Sequence, residues 1–501
     1  MGLFGIVLGL VLLVWLAYRG WSILLLAPAA AVIAAAFAGG PLLAYWTQTF
    51  MDSASRFVAQ FFPLFLLGAL FGKLMEDSGS VSTIARFMTE RLGPARAILT
   101  VVLAGALVTY GGVSLFVAFF VLVPMAQELF RTARLPNRLI PAAITLGTTT
   151  FTMSALPGTP AIQNAIPIPF FGTTPLAAPG LGIIASAIML AFGLWWLGRA
   201  AARRSDADNG RSPAVTVERA VEDETVRQRA TTAREFDPPE VRRGHPSRVS
   251  PPIVLAALPL LVVVIVNVLM TLVVLPRLDV SFLAEERFGA TSLSAVGGVW
   301  SVVTALLAAI VTVIAVNWRR LPALRETMDA GANASVLPVL SVASLVGFGA
   351  VVAAVPAFDI VRNWVLSIEG GPLVSLAVAT NLLAALTGSA SGGLTIALEA
   401  LGSTYMRLAA EHGIDPALLH RIAVISAGTL DSLPQNGAVV TLLAVCGATH
   451  RESYFDIVMA AIVGPIIALA AVIALGSAVA DPAPIMAFVR IQPISDRVGG
   501  V

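Results

Sequence analysis

The sequence predicts an all-α polytopic membrane protein with inverted repeats, each repeat holding a re-entrant hairpin and a broken transmembrane helix. Three observations predict it. The 501 residues are 57% hydrophobic and only 12% charged, about half the ~25% charged share of a soluble domain. Apolar stretches near the ~20 residues that span hydrocarbon recur along the whole chain. Two polar, proline-bearing segments, 147–164 and 427–440, interrupt apolar surroundings at corresponding places in the two halves.

Taken in order, apolar spans are expected at about 3–18, 22–38, 57–75, 97–108, 113–128, 138–152, 161–170 and 179–198. These form a first membrane half, 1–198. A second half, 251–501, holds spans at about 252–275, 291–316, 335–355, 373–387, 392–408, 418–431, 436–448 and 455–480. The N-terminal run MGLFGIVLGLVLLVW has no basic stretch before it, so it reads as a retained helix rather than a cleaved signal. Several other spans are too short to cross alone, and short or interrupted segments at matching places point to a transport site. Between the halves, 199–250 carries 11 Arg against 9 acids together with Pro and Ser, the composition of a linker.

Arginines in short loops set orientation. Arg19, the basic residues from Lys73 to Arg96, then Arg131, Arg134 and Arg138, the linker, and Arg319, Arg320 and Arg325 are expected on the cytoplasmic side, with the N-terminus external. Both flanks of 97–128 are then basic, as for a hairpin that enters and leaves by one face, with its tip at 109–114. Segment 373–408 is flanked by Asp359 and Glu369 before it and Glu411 and Asp415 after it, and is expected to enter from outside.

The first break, GTTTFTMSALPGTPAIQN (147–164), lies in a broken helix at about 138–170. Pro157 and Pro160 each remove a backbone donor, and Gly158 relaxes the chain between them. Unpaired backbone survives at membrane depth only where it faces protein or a cavity, and such breaks form substrate and ion sites in secondary transporters. The bland alternative is a proline-kinked structural helix. The second half argues otherwise. TYGGVSLFVAFF (from Thr109) matches ASGGLTIALEAL (from Ala390), and Gly111–Gly112 stand 281 positions before Gly392–Gly393. The same offset takes Gly147 to Gly428, and Leu156–Pro157 matches Leu433–Pro434 at offset 277. The second break, AGTLDSLPQNGAVV (427–440), lies in a helix at about 418–448. Two such elements in one order at near-constant spacing mark a repeat.

LPGTPAIQN (156–164), SASGG (389–393) and HRIAVISAGTLDSLPQNGAVVTLLAVCG (420–447) resemble the gluconate permease (GntP) family. The closest likeness is to 3-hydroxybutyrate-type permeases, within the ion transporter superfamily. The resemblance covers both membrane halves and leaves the linker outside. It implies proton-coupled uptake of a small organic acid across a bacterial inner membrane. It also implies two hairpins, two broken helices, a scaffold that forms a homodimer, and elevator-like movement of a transport core. In the family a histidine commonly stands where this chain has Gln435, so protonation at that position is not the coupling step here.

A carboxylate substrate needs donors in a dry place, favourably at helix N-termini. Gly111, Gly112, Gly392 and Gly393 would let hairpin backbone approach a ligand closely, and Ser114, Ser389, Ser391 and Thr395 add hydroxyls. At the breaks, Gly158, Thr159, Gln163, Asn164, Ser432, Gln435, Asn436 and Gly437 supply donors and acceptors suited to a hydroxy acid. The competing reading is that Ser and Thr in membrane helices bond their own backbone or glue helices together. Coupling needs a group that changes charge, and intramembrane acids are functional by default. Asp431 in the second break is the first candidate and Glu399 the second. Removal from water favours a neutral carboxyl, the behaviour such a group needs. Capping at the break is the structural alternative for Asp431, and pairing with Arg or an amide for Glu399. His420 reads as a surface residue at the external boundary.

Other classes fit less well. GSASG (388–392) is not G-x-S-x-G, no GxGD stands near Asp431, and no HExxH occurs, which argues against an enzyme. Four histidines and one cysteine, Cys446, leave no basis for a metal or haem centre or a disulfide framework; Cys446 is expected to be buried. No cofactor is expected. The near-neutral net charge of +2 argues against nucleic acid. A sodium-coupled carboxylate carrier, and a passive anion channel, are the alternatives to a proton symporter. The expected partners are a small organic acid anion, a proton or sodium, the lipid bilayer and a second copy of the chain.

Overall fold

Hydrocarbon supplies no hydrogen-bond partners, so an apolar chain that crosses it must pair its own backbone as helix. The computed structural model describes residues 1–19, 21–113, 115–203, 247, 249–434 and 436–480. Ser114, Gln435 and most of the 199–250 linker lie outside the described residues. Among those described there are helices, short 3₁₀ and π turns and connecting loops, and no strand. Six of the described helices are long and apolar enough to cross a membrane. The chain is an all-α multi-pass membrane protein.

The first half begins with α1 (Gly2–Tyr18) and α2 (Ile23–Phe37), packed together, and continues into α3 (Leu42–Asp77). The second begins with α12 (Ile253–Arg277) and α13 (Leu293–Arg320), also packed together, and continues into α14 (Leu324–Ala354). Helices α3 and α14 form the central pair, with α2 against α14 and α13 against α3. Both are longer than the spans expected at 57–75 and 335–355. The added N-terminal turns carry the ion pairs Asp52–Arg56 (2.7 Å) and Arg325–Asp329 (3.7 Å) on exposed faces, charges that a search for apolar runs discards. Where the C-terminal end of α3 meets α14, Lys73 lies 3.2 Å from Glu76 and from Asp77, and Thr327 donates to Asp77 at 2.7 Å.

Two further helices, α4 (Ser80–Leu92) and α15 (Phe358–Leu366), have no counterpart among the expected spans. They are amphipathic: α4 buries Val81, Ile84 and Ala85 and exposes Arg86, Glu90 and Arg91. At Gly93 the chain turns by 101° into α5 (Ala97–Tyr110). Fourteen residues reach about 21 Å, short of the ~30 Å hydrocarbon thickness. The chain then turns at Gly111–Gly112 and α6 (Leu115–Ala133) packs back on α5. Gly112 takes φ +94°, a conformation that favours glycine.

The same order returns after α15, where α16 (Gly371–Thr387) turns at Gly388 and α17 (Ala390–His412) packs back on it. A Cβ on Gly393 would collide with the backbone of Ala384, so glycine here sets how closely the two arms approach. Gly393→Ala is expected to cost about 1–3 kcal/mol by overpacking. Thermal unfolding of the detergent-purified protein checks this, and an unchanged melting temperature would mean that the arms have slack.

Helices α7 (Ile140–Thr148) and α8 (Phe151–Ser154) lead into the first break. Beyond it lie α9 (Ile162–Ala165), α10 (Pro167–Phe171) and the long α11 (Pro179–Ala202). Helix α18 (Pro416–Thr429) leads into the second break, followed by α19 (Gly437–Cys446) and α20 (His450–Ala478). Helices α11 and α20 pack against each other. Cys446 is buried, as expected.

Candidate functional site

A helix that breaks at proline strands the carbonyls one turn back, and at the first break side chains from elsewhere bond the exposed carbonyls. Arg421 of α18 donates to Ser154 O (3.4 Å), Tyr110 at the end of α5 to Pro157 O (2.8 Å), and Asn267 of α12 to Gly158 O (2.9 Å). Asn164 donates to Thr159 O (3.1 Å) and Pro175 O (3.0 Å). Gly158, at φ +78°, sends its own N–H to Pro175 O. Buried Thr159 accepts from Ala161 N–H (3.3 Å). The amide of Asn164 is therefore spent on backbone. Its oxygen meets His420 Nε2 (3.2 Å) and Arg421 Nη1 (3.4 Å).

The second break is tied to the tip of the α16–α17 hairpin. Asn436 caps α19 by accepting from Ala438 (2.7 Å) and Val439 (3.3 Å), and it donates to Gly388 O (2.9 Å) and Asp431 Oδ1 (3.0 Å). Asp431 also accepts a backbone hydrogen bond from Ala390, the first residue of α17. Ser389 caps the same helix through Gly392 N–H (3.2 Å). Tyr454 donates to Ser432 O (3.1 Å), and His450 Nε2 lies 2.7 Å from Pro434 O. Gly437 opens α19.

Between the first hairpin tip, the first break and the central helices lies a cavity of about 190 Å³. Its lining is mainly apolar, with Phe65 of α3, Val113, Pro160 and Val342 among the walls. Among the described residues four polar side chains reach it: Thr109, Gln163, Ser335 and Ser391. Three are committed to the protein. Thr109 donates to Gly105 O (2.8 Å), Ser335 to Ala332 O (2.7 Å), and the hydroxyls of Ser391 and Ser389 are hydrogen-bonded to each other (3.2 Å). Gln163 is 6% exposed, and among the described residues its amide has no hydrogen-bond partner.

A second void, of about 10 Å³, borders Asp431, Ser432, Asn436, Thr145 and Thr149. That is about the room one water needs. Leu115 and Met153 line both spaces, so these two side chains stand between Asp431 and the larger cavity.

The sequence-nominated residues thus fall into distinct groups. Gly112, Gln163 and Ser391 face the large cavity; Asp431, Ser432 and Asn436 face the small one. Gly111 is backed by Leu260 and Gly393 by Ala384, and Thr395 donates to Ser391 O within its own helix (2.7 Å). Glu399 belongs to neither space; it accepts from Ser53 at 3.3 Å, where α17 meets α3. His420 corrects the boundary reading: it is 0% exposed, its Nδ1 2.6 Å from Thr173 Oγ1. Its position at the start of α18 suggested a helix end in water, but that turn packs against the segment after the first break. Arg421, Tyr110 and Asn267 were not nominated at all. A signal existed for Arg421, since an arginine beside an apolar helix run demands a protein partner.

The family model described as GntP family permease matches residues 1–198. The protein of Bacillus subtilis (strain 168) named uncharacterized transporter YxjC is 39% identical over 459 residues, covering 90% of this chain and 94% of that protein. The chain belongs to the GntP permease family. In this GntP permease the matched segment contains the first hairpin, the first break and most residues of the cavity wall. The match to YxjC extends the likeness across nearly the whole chain. Among the described residues the permease therefore sets the uncommitted amide of Gln163 against a small apolar chamber, and the half-buried carboxylate of Asp431 just beyond two side chains of its wall.

Proposed function

We propose that this permease takes up a small hydroxymonocarboxylate, of the 3-hydroxybutyrate or gluconate kind, together with a proton. The observation that carries the reading is Gln163, whose amide has no partner among the described residues and opens on the cavity. An amide donor facing a mainly apolar chamber has its hydrogen bond to give, and a carboxylate or hydroxyl in the cavity can take it. At about 190 Å³ the chamber is smaller than the roughly 300 Å³ at which drug-sized sites begin. Its apolar walls favour the methyl end of 3-hydroxybutyrate over the hydroxyl-lined chain of gluconate, whose groups would each need a partner.

Asp431 is the proposed proton carrier, because it is the one ionisable residue in either break segment and borders a void the size of a water. Glu399 is the second choice, set where α17 touches α3. The short α5 and the recurring order of elements support two hairpins entering from opposite faces, inverted repeats, and elevator-like movement of the core against a dimeric scaffold. The protein is proposed to lie in a bacterial inner membrane with its N-terminus external and 199–250 cytoplasmic. The oxygen-bearing residues around the small void favour one rival, a sodium-coupled carrier; a passive channel lacks any such supporting feature.

The test is uptake of radiolabelled 3-hydroxybutyrate into proteoliposomes under an imposed pH gradient, with gluconate as competitor. Uphill uptake abolished by a protonophore is expected. Uptake that requires sodium and ignores pH would move the coupling ion to sodium, and downhill-only flux without counterflow would make the protein a channel.

A further inference from the structure

Arg421 is 0% exposed and remains charged under all ordinary conditions. Its Nε and Nη2 donate to Ala177 O (3.2 and 2.7 Å), and its Nη1 reaches Ser154 O and Asn164 Oδ1 (both 3.4 Å). Every one of these acceptors is neutral. Among the described residues no carboxylate pairs with it, and the ionisable groups that sense it are the Tyr110 phenol and the His420 imidazole. A charge taken from water without a counter-ion is expensive, so its retention calls for a reason. Satisfying carbonyls at a break needs donors but no net charge.

The position supplies the reason. Ser154 and Asn164, two of its acceptors, are chain neighbours of Met153 and Gln163, which line the large cavity. Among the described residues the cavity wall itself holds no ionisable side chain. An anion in that chamber finds one positive charge a single residue behind the wall, approached from both flanks of the break.

We propose that Arg421 is the counter-charge for the substrate carboxylate, a positioning residue that acts through the first break rather than by contact. This rests on the carboxylate reading above. In a low-dielectric interior such a charge acts over several ångströms. The anion offsets the desolvation of the guanidinium as much as the guanidinium holds the anion. The empty carrier then keeps a net positive centre that a bound anion neutralises.

The experiment compares inhibition of uptake by 3-hydroxybutyrate and by its methyl ester, using the full-length protein in proteoliposomes. Arg421→Gln keeps hydrogen-bond donors and removes the charge; Arg421→Lys keeps the charge and alters the geometry. The expected result is a loss of about tenfold or more in acid affinity for Arg421→Gln, with ester affinity unchanged, and recovery of acid-over-ester preference in Arg421→Lys. Equal loss for acid and ester would make the residue a structural clasp and overturn the proposal. So would wild-type acid preference in Arg421→Gln. If Arg421→Gln fails size-exclusion as a folded protein, the lysine variant decides alone: preserved acid preference supports the counter-charge, and lost preference sinks it. A wild-type protein that does not prefer acid to ester would overturn the carboxylate reading itself, and this assignment with it.

Discussion

Gln163→Leu is expected to weaken substrate binding about 10- to 100-fold while leaving the fold intact. A hydrogen bond to a charged group is worth about 1.5–3 kcal/mol, which is that range in affinity. The clean separation follows from geometry. Thr109, Ser335 and Ser391 bond other parts of the protein, so removing any of them disturbs structure as well as ligand. The Gln163 amide bonds nothing among the described residues, and leucine of similar size leaves no protein group orphaned. The half-saturation constant for uptake and the melting temperature are the two readouts. A raised constant with an unchanged melting temperature is expected. An unchanged constant would remove Gln163 from the site, and with it the observation on which the substrate reading stands.

Asp431→Asn is expected to abolish uphill accumulation and to spare exchange of labelled for unlabelled substrate. Asparagine keeps an oxygen for the Asn436 amide and the Ala390 N–H, so the second break stays fastened to the tip of the α16–α17 hairpin. What it loses is the ability to take up and release a proton. In the acid, protonation also changes how strongly Asp431 holds the N-terminus of α17, a physical link between proton binding and hairpin position. Full accumulation by the variant would exclude Asp431 and move attention to Glu399, whose contact with Ser53 (3.3 Å) joins α17 to α3. Loss of exchange as well as accumulation would instead point to a purely structural cap.

Much of this architecture is legible in the chain because the membrane is a demanding solvent. An apolar run of sufficient length has one low-energy outcome there, so the spans at 3–18, 22–38, 179–198 and 252–275 lie close to α1, α2, α11 and α12. Proline and glycine inside such runs mark breaks for the same reason, and both breaks lie where Leu-Pro stands. Helices α4 and α15 escaped because they lie on the rule's weak side: half-polar and short, they carry no hydropathy signal.

The chain alone told where backbone groups would lose their helical partners, since Pro157 and Pro160 each remove a donor. It did not tell which side chains would pair with them. Asn164, Asn436, Gln163 and Arg421 are all polar residues in or near a break, alike in composition and spacing. Only the packing of α5, α12 and α18 around the first break separates them: it commits Asn164 to carbonyls, brings Tyr110 and Asn267 from distant helices, buries Arg421 without a carboxylate, and leaves Gln163 over. Hydrogen-bond satisfaction is a property of the assembled neighbourhood, because each donor's partner is chosen by distances between segments far apart in the chain.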